Sequence, residues 1–127
     1  MAQVGHKNRQ QVVQPNSAVS VANTNYDAAK YMEVDLPHNV ILSVIRLSGT
    51  FATTANISIQ VSRDAAGDDI VIPDTQAGIA VGTTTATKCV VLFEVETNQY
   101  TQGKLYVHAK VNAGTFTWQR TEMYWRD

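Results

Sequence analysis

Apolar and polar residues alternate along much of this chain with a period of two, the repeat of a strand buried on one face. The clearest case is ISIQVS, where Ile57, Ile59 and Val61 fall on one side and Ser58, Gln60 and Ser62 on the other. Just upstream, LSGTF runs into a small-residue connection at residues 54–56, so the two runs are expected to fold back on each other. The polar stretch RDAAGDD that follows reads as a surface turn.

The same period recurs on either side. Residues 31–36 (YMEVDL) place Met32, Val34 and Leu36 inward and Glu33 and Asp35 outward, although residues 28–32 would also suit one helical turn. Pro37, His38 and Asn39 punctuate the chain. VILSVIRLSGTF, residues 40–51, is the longest apolar run. Its length would allow a helix, but the β-branched Val40, Ile41, Val44 and Ile45 favour a long central strand. Gly49 in that run marks a bulge or the close approach of another backbone.

Shorter segments follow the same logic. Residues 18–22 (AVSVA) suit a short strand, and IVI at 70–72 an edge strand stopping at Pro73, which has no N–H for a ladder. Residues 75–87 read as a loop around a short strand at 78–81. In KCVVLFEVET, Cys89, Val91, Phe93 and Val95 share one face, with Val90 and Leu92 on the other. In KLYVHAKV, Leu105, Val107, Ala109 and Val111 point inward and His108 lies outward between Tyr106 and Lys110. Asn112, Ala113 and Gly114 form a three-residue hairpin connection, and TFTWQRTEMYW is expected as the partner strand.

Seven to nine short strands and no amphipathic helix imply an all-β fold. The expected architecture is an antiparallel β-sandwich, jelly-roll-like, over residues 18–127, with a barrel as the less favoured form. Residues 1–17 hold few large apolar side chains and are expected to be an extended N-terminal arm. That arm is either flexible or ordered only against a partner, with Val12 and Val13 as its anchors.

Composition narrows the function classes. The chain has 127 residues, 44% hydrophobic and 17% charged, enough for one packed core. A net charge of -1 gives no general field for nucleic acid or an anionic membrane, and Lys7 and Arg9 are too few to hold DNA. Neither partner is expected. Cys89 is alone, so no intrachain disulfide forms. No apolar run approaches the roughly 18 residues of a membrane span, and no signal-peptide core is visible, so synthesis in a cytoplasm is expected.

Chemistry is scarce. Asp64, Asp68, Asp69 and Asp74 crowd one region and bring calcium to mind, but their spacing departs from the EF-hand and suits ordinary turns. His6, His38 and His108 lack a metal spacing, and His108 is expected to be solvated or at an interface. No nucleophile elbow is present, Cys89 reads as a small core residue, and Glu94 and Glu96 read as solvated strand charges. No catalytic residue, metal or cofactor is expected, and the protein is read as a non-enzyme. The aromatics are more telling. Phe116, Trp118 and Tyr124 share one parity and Met123 and Trp125 the other, which puts bulk on both faces of the last strand. Met123 and Trp125 are therefore expected in a subunit contact. Alternatively Trp118, Trp125 and Tyr106, with Tyr100 nearby, make a platform for sugar rings.

One stretch carries a resemblance. Ser48-Gly49-Thr50-Phe51, then Ile57-Ser58-Ile59-Gln60-Val61-Ser62, then Asp64-Ala65-Ala66-Gly67 resembles a pattern in small β-sandwich structural proteins of tailed bacteriophages. The match lies within residues 47–69, and Asp68-Asp69-Ile70 stands where the family has an aromatic after the turn. The resemblance implies a virion component: above all a capsid decoration or cement protein, otherwise a head–tail or tail-fibre module. It implies the major capsid protein or other virion subunits as partners, and a homo-oligomer, with a trimer among the closed forms. A carbohydrate-binding module or receptor-binding fibre tip is the alternative.

Overall fold

Runs rich in β-branched residues, each with one apolar face, can be buried by stacking two sheets. The computed structural model, which describes residues 8–51, 56–76, 87–94 and 101–126, has this form. Its strands are β1 (Asn8–Val13), β2 (Val19–Val21), β3 (Tyr31–Phe51), β4 (Ile57–Ser62), β5 (Ile70–Gln76), β6 (Thr87–Glu94), β7 (Thr101–Val111) and β8 (Phe116–Arg126). Every pairing among them is antiparallel. The fold is an all-β sandwich, as the alternation implies.

The 21-residue β3 belongs to both sheets. Its first part pairs with β7, and its second runs between β8 and β6. One sheet is therefore β3–β7–β4–β5. In the other, β8 lies beside β3, and β1 and β2 follow one another along its far edge. The β3–β7 ladder is irregular between Leu36 and Val40. Pro37, expected to break the chain, instead sits where one strand crosses between sheets, a place that tolerates a missing donor.

The core lies between the sheets. Met32, Val34, Leu36, Ile57, Ile59, Val61, Leu105, Val107 and Val111 are buried from one side, as their alternation predicts. From the other come Ile45, Leu47, Phe51, Phe93, Phe116 and Trp118. Two bulges set the phase. Leu42 faces Trp125 and Val44 faces Tyr124, which leaves Ser43 as an extra residue in β3. Ser48 faces Arg120 and Gly49 faces Trp118, which leaves Gln119 as an extra residue in β8. Gly49 fits both readings made from the sequence: it adjoins the bulge, and a Cβ there would stand 2.1 Å from the Thr117 carbonyl oxygen.

Several connections differ from expectation. β3 and β4 do not pair; β4 lies between β7 and β5, and residues 52–55 are outside the described residues. β7 and β8 are likewise not hairpin partners but enter different sheets. The turn between them holds Gly114 at φ 70°, as anticipated. It is tied instead to neighbouring loops: Val111 N–H donates to Asn23 O (3.0 Å) and Asn112 N–H to Asn56 O (3.2 Å). β5 is an edge strand but does not stop at Pro73. Pro73 and Asp74 together face the single residue Gln60, so the proline occupies a bulge. Residues 8–13 of the expected arm form β1, paired along β8 of the same chain. The strand expected at 78–81 lies outside the described residues.

Candidate interaction surface

The last strand does not present its large side chains to a partner. Trp118 and Met123 are 0% exposed and Trp125 5%. The subunit contact expected of Met123 and Trp125, and the sugar platform expected of Trp118 and Trp125, are thereby corrected. The cause is the Gln119 bulge, which shifts the inward parity from Phe116 and Trp118 to Thr121, Met123 and Trp125. Bulk at both parities thus lands on one face. Trp118 Nε1–H donates to Thr121 Oγ1 at 2.8 Å, and the Thr121 hydroxyl turns to Met32 Sδ at 3.1 Å.

The outward face of β8 is polar and closely tied. Glu122, 1% exposed, accepts hydrogen bonds from Arg120, from the Tyr124 hydroxyl, and from Arg46 Nη1 at 3.0 Å. Gln10 Nε2 adds a bond from β1 at 3.1 Å. Burial opposes ionisation of Glu122, but Tyr124, Arg120 and Arg46 outweigh it and hold the carboxyl below its usual range. Three strands are bridged by one carboxylate. On the inward side of β1, the Gln11 amide occupies both backbone groups of Asp35, donating to its oxygen (2.8 Å) and accepting from its N–H (3.1 Å). This closes the sandwich where the free edge of β3 would otherwise stand open. Val13 packs against the core of its own chain, while Val12 remains 45% exposed.

Of the aromatics expected at a surface, Tyr106 is half-buried. It meets the Tyr31 ring edge-on at 5.3 Å, and its hydrogen bond to Glu33 pushes the phenol pKa up. His108 departs from expectation, being 2% exposed. The turn after β4 folds over it, and His108 Nε2 lies 2.8 Å from Ala65 O. The aspartates of that turn act as turn formers. Asp64 accepts the backbone N–H groups of Asp68 (3.0 Å) and Asp69 (2.8 Å), which holds its carboxyl below the usual range. Among the described residues no three His, Cys, Asp or Glu side chains converge to hold a metal. His6, Glu96 and Tyr100, and the side chains of His38, Cys89 and Glu94, lie outside the described residues.

Asp74 is placed differently, and no local sequence signal foretold its partners. Its Oδ1 accepts from the Tyr26 hydroxyl at 2.5 Å and stands 3.6 Å from Lys110 Nζ, which in turn lies 4.8 Å over the Tyr26 ring. Burial, then the bond and charge of Asp74, push the Tyr26 phenol far up. Asp74 and Lys110 border a cleft of about 300 Å³ lined also by Thr24, Asn56, Ser58 and Asn112, with Val111 as an apolar member. Glu122 had a legible signal, since Arg120 and Tyr124 flank it two residues away on the same strand face.

No family model matches the chain, and no curated protein does. Solved structures do resemble it in fold. The complex of Aeromonas sobria serine protease with its chaperone aligns at a TM-score of 0.53 and 6% identity, over 99% of this chain and 28% of that one. The same serine protease solved separately aligns at 0.50 and 6% identity, over 99% and 28%. The VP2 subviral particle of infectious bursal disease virus aligns at 0.52 and 12% identity, over 94% and 32%. The chain spans about a third or less of the length of each of these proteins.

Proposed function

We propose that this protein is a non-enzymatic structural component of a virion, a capsid decoration or cement protein of a tailed bacteriophage. The observation that carries the reading is its sandwich fold, shared over 94% of its length with VP2, a protein that forms a subviral particle. The tailed-phage pattern within residues 47–69 supports the same class independently. The mechanism is one of contact. A rigid sandwich, latched across three strands at Glu122, offers outward faces and strand edges to the major capsid protein or other virion subunits. Many weak contacts on a lattice, or within a homo-oligomer such as a trimer, then sum to firm attachment. Val12, exposed beside the Glu122 cluster, is the apolar point of that outward face, and Tyr106 is a second contact on the opposite sheet.

Removing the gene from the genome that carries it tests the role. Particles lacking the protein are expected to form but to lose their contents at lower temperature, with recovery when purified protein is added back. Particles of unchanged thermal resistance would overturn the cement reading.

A further inference from the structure

We infer that the cleft bordered by β4, β5, β7 and the turn at residues 23–26 is a binding site for a neutral, hydroxyl-rich ligand about the size of one sugar ring. The inference does not rest on the virion reading, and it uses none of the tryptophans. Its first support is the bulge at Pro73 and Asp74. Two β5 residues there face one on β4, and such a bulge re-aims a side chain out of the regular pleat. The re-aimed Asp74 meets Lys110 and Tyr26.

The second support is that the walls are already fixed. Asn56 N–H donates to Asn112 Oδ1 at 2.9 Å while Asn112 N–H returns a bond to Asn56 O. Asn23 Nδ2 holds Ala109 O at 3.0 Å and Asn25 O at 2.8 Å, and Ser58 stands opposite Lys110 in the ladder. A ligand would find donors and acceptors in place, with little ordering left to do.

Chemistry then selects the ligand class. Lys110 is neutralised by Asp74, which disfavours a free anion, and Asp74 is already engaged by a cation and a phenol, which disfavours a metal. What remains is a set of paired donors and acceptors: an ammonium beside a carboxylate, two hydroxyls from Thr24 and Ser58, and the amides of Asn56 and Asn112. A sugar hydroxyl both gives and takes a hydrogen bond, so two neighbouring hydroxyls fit the Asp74–Lys110 pair. The volume lies at the lower end of small-molecule sites.

Amide NMR of the labelled full-length chain tests this, with methyl glucoside, methyl galactoside and methyl mannoside as neutral probes and inorganic phosphate and sialic acid as charged ones. At least one neutral glycoside is expected to move the Ser58, Lys110 and Asn112 amides saturably, with a dissociation constant on the order of 1 mM. Asp74→Asn is expected to weaken it about tenfold, the loss of a charge-assisted bond. If that variant disturbs the fold, Ser58→Val carries the comparison. The inference is overturned if no neutral glycoside moves these amides, if the charged probes do so instead, or if both variants titrate like the parent. Sugar binding by a protein absent from virions would leave this site standing and remove the virion reading.

Discussion

Glu122 shows how one side chain can organise a sheet face. It is 1% exposed yet ionised, because Arg46, Arg120, Tyr124 and Gln10 converge on it from β3, β8 and β1. Glu122→Gln keeps the shape and loses the charge, and should cost about 1–2 kcal/mol at pH 7 in denaturant unfolding. The pH dependence has a definite sign. The folded carboxyl titrates below its ordinary 4.5, so its contribution is complete above that value and is lost as pH falls through the folded pKa. Parent and variant should therefore keep their gap above 4.5 and converge at lower pH, as the folded carboxyl takes up its proton. Gly49 is the steric counterpart. An added Cβ would meet Thr117 O at 2.1 Å and Phe116 Cε1 at 2.9 Å, so Gly49→Ala should cost about 3 kcal/mol, read as a lowered unfolding midpoint. Gly49 was visible in sequence as an interruption in an apolar run; Glu122 was not singled out there, although Arg120 and Tyr124 flank it at the spacing of one strand face. The Tyr26–Asp74 pair was not visible, because 48 residues separate them and nothing local joins them.

At the scale of elements, the inward sets of β4 and β7 were legible because each keeps one phase from end to end. β8 was not, because its bulge reverses the phase midway. Read as one uninterrupted repeat, Met123 and Trp125 point out; with Gln119 extra, they point in. This makes a sharp contrast testable. Gln119→Ala at an exposed position should change stability by less than about 0.5 kcal/mol. Deletion of Gln119 leaves a regular strand with Phe116, Trp118, Thr121, Met123 and Trp125 still inward and should keep cooperative melting. One alanine inserted between Arg120 and Thr121, by contrast, turns Thr121, Met123 and Trp125 outward and should abolish it. β1 was missed for a different reason: its composition is polar, and its order comes from β8 and from the Gln11–Asp35 clasp. Deleting residues 1–13 should lower the melting temperature and expose the edge of β8 to self-association, visible by light scattering.

The whole molecule is a sandwich in which β3 serves both sheets, so its two halves cannot come apart without breaking one continuous strand. The all-β class could be read from periodicity alone. Strand order could not, since β3 pairs with β6, β7 and β8 and not with its sequence neighbour β4, and such pairings depend on distant partners. Among the described residues both tryptophans are sealed inside, so the proposed role falls to the outward faces and strand edges. Quantitative mass spectrometry of gradient-purified particles from the genome encoding this chain tests that role most directly. The account predicts the protein in intact particles at a fixed ratio to the main shell subunit. Its presence in the infected-cell lysate but not in purified particles would contradict the account.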